Sequence, residues 1–170
     1  MPELRKDPIV GRWVIISTER ARRPNEFVLS HKEIPERPCP FCQGHEAQTP
    51  PEIYALRDQG SKANGPGWSV RAVPSIAPIL KIEGKLERKG KGLYDVMNGI
   101  GAHEIIVETP EHIASFADLS EEQITNNISV YIERISDLQK DQRFKYVLLF
   151  KNHGLIAGTA KDIIRHTRSQ

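Results

Sequence analysis

A chain of 170 residues is long enough for one ordinary domain with its own core, and it needs no disulfides to stay folded. Its 24 basic and 22 acidic side chains leave a net charge of only +2, without the excess expected of a general nucleic-acid binder. No apolar run reaches membrane-spanning length, and Met1-Pro2-Glu3-Leu4-Arg5-Lys6-Asp7 lacks the apolar core of a signal peptide, so the expectation is a cytoplasmic protein with no membrane partner.

In chain order, Asp7-Pro8-Ile9-Val10-Gly11-Arg12 reads as a turn feeding a β-branched, aromatic strand, Trp13 to Ser17. Three arginines in four positions follow, Arg20, Arg22 and Arg23, ahead of Pro24. Two readings stand for them: a solvated charge run, which composition alone favours, or a phosphate clamp, since guanidinium forks match phosphate oxygens bidentately. From Phe27 to Pro51 the chain is irregular and proline-rich, and it holds the only two cysteines, Cys39 and Cys42. In a reducing compartment a proline-flanked C-x-x-C reads as metal-binding more readily than as a disulfide or a thioredoxin-like redox pair. Two thiolates are half of a tetrahedral zinc site, and histidines are the candidates for the rest. His45, three residues after Cys42, is by spacing either a ligand or a surface residue.

Residues 58–67 read as a loop, and Trp68 to Pro74 as a half-buried strand ended by proline. Lys81 to Lys91 alternates charge with glycine and is expected to be an exposed excursion. A strand at Ile105 to Thr109 closes on Pro110 and leaves His112 at its exit. Ser120, with Gln123 three residues on, predicts a capping box opening an amphipathic helix to about Lys140, with Ile124, Ile128, Tyr131, Ile135 and Leu138 as its core stripe. Phe144 to Phe150 predicts an apolar strand turning out through Lys151-Asn152-His153-Gly154. The chain then runs to His166-Thr167-Arg168-Ser169-Gln170. His103 precedes a strand and fits a hydrogen-bonded structural role; His31 and His153 read as surface and turn residues.

Taken together, the ordered elements resemble the N-terminal half of the galactose-1-phosphate uridylyltransferase family. These are Arg-x-Asp-Pro-x-x-Gly-x-Trp-x-x-x-Ser, Glu19-Arg20-Ala21-Arg22-Arg23-Pro24, Cys39-Pro40-Phe41-Cys42, Arg71-Ala72-Val73-Pro74, Gly101-Ala102-His103-Glu104, Thr109-Pro110-Glu111-His112 and Phe150-Lys151-Asn152-His153-Gly154. The resemblance implies an α+β, histidine-triad-like antiparallel half-barrel sheet with packed helices and a zinc-stapled loop, formed by residues 1–170 as one domain without the family's second half. It implies transfer of a nucleoside monophosphate between sugar phosphates through a covalent histidine. It assigns Zn²⁺ to Cys39, Cys42, His112 and His166, and substrate contacts to Arg20, Arg23, Asn152 and Gln170. The partners it implies are a nucleotide sugar such as UDP-glucose and a hexose 1-phosphate, with a homodimer allowed and no nucleic acid.

Three departures qualify that inference. Arg168 stands where the family has its nucleophilic histidine, and a guanidinium offers donors only, with no lone pair to attack phosphorus. The stretch between Gly158 and His166 is about three residues longer than is usual in the family. Ser75-Ile76 replaces an asparagine and a polar neighbour that touch the nucleotide in many relatives. The alternative reading is therefore a catalytically silent, zinc-containing nucleotide-sugar binding module.

Overall fold

A computed structural model describes residues 2–17, 38–113 and 115–151, and the backbone alone of 152 and 165–169. The chain opens with a hairpin of β1 (Glu3–Lys6) and β2 (Trp13–Ile16). Asp7 makes its turn: the carboxylate accepts from the N–H groups of Ile9 and Val10 at 2.8 and 3.1 Å, and Gly11, at φ +73°, donates to the Asp7 carbonyl. This is the self-hydrogen-bonding for which aspartate is favoured in turns.

β1 also pairs with β6 (Tyr94–Asn98), which pairs with β5 (Lys89–Lys91), giving an antiparallel four-stranded sheet in the order β2-β1-β6-β5. Glu3 lies opposite both Ile16 and Asn98, so β1 ends where β6 begins. The β1–β2 and β5–β6 turns therefore share one end of the sheet. The charged stretch 81–91 is largely exposed, as expected, but its last three residues form a strand because β6 supplies a hydrogen-bonding partner.

A second antiparallel sheet runs in the order β3-β4-β7-β9-β8, from β3 (Tyr54–Arg57), β4 (Trp68–Pro74), β7 (Glu104–Val107), β8 (Leu149–Asn152) and β9 (Arg165–Ser169). Helix α1 (Glu121–Leu138) packs on it, with Val70, Ala72, Ile106 and Val130 forming the core between them, and the class is α+β. Ser120 caps the helix through a 3.1 Å bond from the Gln123 N–H. Gln123 does not complete a capping box. Its Nε2 instead donates to the carbonyls of Ser69 and Glu108, at 2.9 and 2.6 Å, stitching the helix onto two strands.

Of the stripe expected for α1, Leu138 is buried, Tyr131 packs on the core and Ile124 and Ile135 are half-buried, whereas Ile128 stands 49% exposed; Asn127, Val130 and Arg134 complete the buried face. Arg134 can be buried because its guanidinium forks onto the buried Glu104 carboxylate with two 2.9 Å bonds and reaches Asp137 at 2.9 Å. The expected strand from Phe144 is shorter: 144–148 is irregular, because β9 pairs only with residues from Leu149 onward. Among the described residues no helix is long and apolar enough to cross a membrane.

Candidate metal centre

Residues 38–45 turn tightly. The Cys42 N–H donates to the Cys39 carbonyl at 3.3 Å and the His45 N–H to Cys42 at 3.2 Å, while Gly44 takes φ +88°, a value a side chain would oppose. The Gln43 N–H reaches across to the Pro110 carbonyl at 2.9 Å, so this loop is bonded to the segment leaving β7. Two residues later that segment presents His112, whose Nδ1 lies 3.4 Å from the Cys42 sulfur. The ligand atoms of Cys39, Cys42 and His112 all fall within 4.8 Å of one another.

Those separations fit a tetrahedral ion. With Zn–S near 2.3 Å and Zn–N near 2.05 Å, tetrahedral angles give about 3.6 Å from sulfur to nitrogen and about 3.8 Å between sulfurs. Two thiols and an imidazole are also a soft donor set, unsuited to the oxygen-seeking magnesium or calcium. Without an ion, burial pushes the Cys42 thiol up to about 11, helped by the neighbouring Cys39 charge and hydrogen bond. Cys42 then stays protonated at neutral pH, and metal binding has to displace its proton to form the thiolate.

A second set of residues, assigned no role in the site from the sequence, holds this loop on the sheet. Glu46, 6% exposed, accepts from the Gly44 N–H at 3.1 Å and from the Trp68 indole at 2.8 Å. Burial works against its ionisation, but the bonds from Trp68 and from the backbone, with the Arg71 charge, outweigh it and hold its pKa below the ordinary value. Arg71, only 1% exposed, donates to Glu52 at 2.9 Å and to Thr49 at 2.8 Å, and Arg57 forks onto the same Glu52 carboxylate at 2.6 and 2.8 Å. The available signal is Arg71 itself, a charge at a position of β4 flanked by buried residues.

Another buried group lies at the exit of β7. Glu108, 1% exposed, receives the Tyr131 hydroxyl from α1 and the Lys151 ammonium from β8, and that ammonium also sits 4.2 Å from the centre of the Phe116 ring. The segment carrying His112 is thereby tied to both the helix and the edge strand.

Of the site residues expected from the sequence, Cys39, Cys42 and His112 come together. His45 is not part of their cluster; among the described residues its buried Nδ1 has no hydrogen-bond partner. His103 is structural: its Nδ1 accepts from the Ile79 N–H at 3.2 Å and its carbonyl from the Ser75 N–H at 2.8 Å. The backbone register sets Thr167 opposite Ile106 and Arg168 opposite both Ile105 and Phe150, so the tail forms an inner strand of the sheet. His166 is the next residue toward the end of β7 from which the chain leads to His112. The side chains of His166, Arg168 and Asn152 lie outside the described residues, as do Arg20, Arg23, His31, His153 and Gln170 altogether.

Residues 75–170 match the family model described as the N-terminal domain of a domain of unknown function, DUF4931. The chain is 32% identical to an ADP-glucose phosphorylase of Arabidopsis thaliana over 99% of its own length and 47% of that protein. It is 26% identical to a galactose-1-phosphate uridylyltransferase of Thermotoga maritima, over 94% of its own length and 43% of the relative. Among solved structures, an Arabidopsis thaliana ADP-glucose phosphorylase with bound ADP-glucose superposes with a TM-score of 0.62 at 28% identity, over 99% of this chain and 48% of that one. A uridylyltransferase superposes with 0.69 at 27% identity, over 98% and 44%. The chain thus spans about half the length of the relatives it matches.

Proposed function

From the premise that the chain belongs to the galactose-1-phosphate uridylyltransferase and ADP-glucose phosphorylase family, of histidine-triad type, and corresponds to roughly the N-terminal half of those proteins, we propose that it is a zinc-stapled module that binds a nucleotide sugar. The observation that carries this reading is the Cys39, Cys42 and His112 group, assembled from segments 70 residues apart at the end of β7. In this reading the five-stranded sheet with α1 is the histidine-triad-like half-barrel of a single cytoplasmic domain. His166 is the fourth zinc ligand, and a site closed by four protein donors leaves no position for a reactive water. When bound, zinc supplies a structural clamp between the turn at 38–45 and the segment leaving β7.

The nucleotide-sugar diphosphate is held by Arg20 and Arg23, with Asn152 and Gln170 at the sugar-nucleotide. The bound ADP-glucose of the Arabidopsis thaliana relative supports a nucleotide sugar as the ligand. Arg168 stands where the family has its nucleophilic histidine, and a guanidinium cannot carry a nucleotidyl group, so this chain binds without forming a covalent intermediate.

Three measurements test the reading. Purified protein is expected to hold one zinc, lost in Cys42→Ser together with a lowered melting temperature. Calorimetric titration with ADP-glucose and UDP-glucose is expected to show saturable binding that weakens at least tenfold in Arg20→Ala and Arg23→Ala. Zinc-free protein, or arginine variants that bind as the parent does, would overturn it. The name of the Thermotoga maritima relative, a galactose-1-phosphate uridylyltransferase, favours a second reading, transfer of a uridylyl group to a hexose 1-phosphate, for which the family resemblance implies a covalent histidine. The two part on one result: label from a nucleotide sugar that survives denaturation means transfer.

A further inference from the structure

One carboxylate joins three elements in the interior. The Glu108 side chain is fully buried, and it receives the Tyr131 hydroxyl of α1 and the Lys151 ammonium of β8. The Glu108 carbonyl accepts from the Gln123 amide at 2.6 Å, so α1 holds this residue by both backbone and side chain. Lys151 reaches it from an edge strand of the five-stranded sheet, its ammonium also 4.2 Å from the centre of the Phe116 ring. Desolvating two charges offsets most of what their attraction returns, and apolar side chains of similar volume generally stabilise a fold as well. Stability alone is therefore a weak reason for a charged pair at this place.

Lys151 stands where the β8–β9 ladder changes register. From Phe150, opposite Arg168, to Asn152, opposite Arg165, β8 advances by two residues and β9 by three, which sets His166 and Thr167 against Lys151. A ladder interrupted in this way leaves residues unpaired and re-aims the chain beyond it, a feature over-represented beside active sites. With the backbone pairing broken there, the contact with Glu108 fixes where β8 ends, and Asn152 is its last residue. Glu108 itself lies four residues before His112, so one carboxylate ties the end of β8 to the base of the metal-bearing segment. We propose, resting on the reading in which Asn152 meets the sugar nucleotide, that Glu108 is a positioning residue for nucleotide-sugar binding: it anchors Lys151, and Lys151 sets Asn152.

The test is a double-mutant cycle on ADP-glucose affinity in the 170-residue chain, read by calorimetric titration. Lys151→Met is expected to weaken binding by about fivefold, and Asn152→Ala by a similar factor, the loss of roughly one hydrogen bond. The combined variant should bind within about twofold of Asn152→Ala alone, because Lys151 acts through Asn152. Lys151→Arg keeps a cation within reach of Glu108 and should restore most of the affinity. Glu108→Gln/Lys151→Met removes both charges: its stability recovers relative to Lys151→Met while its affinity does not, which separates positioning from support of the fold. Zinc content should stay at the parent's level in Lys151→Met, since Tyr131 and Gln123 still hold Glu108. Additive losses in the cycle, an affinity that returns with stability in the charge-free variant, zinc lost from Lys151→Met, or Lys151→Met or Asn152→Ala binding as the parent does would each overturn the proposal and leave nucleotide-sugar binding standing. A parent that binds no ADP-glucose strikes the nucleotide-sugar reading itself, and the positioning role with it.

Discussion

Replacing Lys151 by methionine removes the cation from Glu108 while keeping most of the aliphatic contact with Phe116. The Glu108 side chain is fully buried, whereas that of Lys151 is 26% exposed. Deleting one partner of a buried ion pair generally costs about 3 to 5 kcal/mol, because an unpaired charge remains in the interior. Here the Tyr131 hydroxyl still donates to the carboxylate and Lys151 is partly solvated, so the expected loss is smaller, about 2 to 3 kcal/mol. For a domain of this size that corresponds to a melting temperature lowered by roughly 4 to 12 °C. Glu108→Gln combined with Lys151→Met neutralises both partners and should recover more than half of the loss. Urea and thermal unfolding of parent, single and double variants measure it. If Lys151→Met lies within about 0.5 kcal/mol of the parent, or the double variant is no more stable than the single one, the Glu108 pair is not holding β8 against the exit of β7.

Removing the helix cap with Ser120→Ala should destabilise by about 1 kcal/mol in urea unfolding, an effect Gln123 cannot offset because its amide is committed to Ser69 and Glu108. Glu46 gives a pH signature. Its folded pKa is lowered, so the stability it contributes is present above the ordinary carboxylate value of 4.5 and is lost as pH falls through the folded value. The stability gap between parent and Glu46→Gln should therefore be largest near neutral pH and close on acidification; a gap constant from pH 7 to pH 3 would refute the role given to Trp68 and the Gly44 N–H. In the core, Ile106→Ala should cost about 2 to 5 kcal/mol, since Val70, Ala72 and Val130 close around the side chain and cannot collapse fully into the space left; equilibrium unfolding close to that of the parent would show the sheet–helix contact to be loose.

The sequence by itself determined what depends on local chemistry. Asp7 and Gly11 marked a hairpin turn, alternation marked β4 at its observed bounds, and Ser120 marked the start of α1. C-x-x-C between prolines named the metal loop, and the ordered motifs named the family. Tertiary structure decided what depends on a distant partner. Part of the face α1 buries is set by Glu104, whose carboxylate makes Arg134 an interior residue, while Ile128, counted into the core stripe, stands outside. β5 exists because β6 is beside it, and among the described residues 144–148 has no pairing strand and is irregular. His112 becomes a ligand candidate in geometry only because the Gln43 N–H bonds the Pro110 carbonyl, bringing the two loops together. Glu46 and Glu108 read as ordinary charges in the chain, and Arg71 as a motif residue with no partner named, since whether a carboxylate or guanidinium is solvated or buried depends on partners tens of residues away. Periodicity and spacing register neighbours along the chain, whereas burial, pairing and pKa follow from neighbours in space.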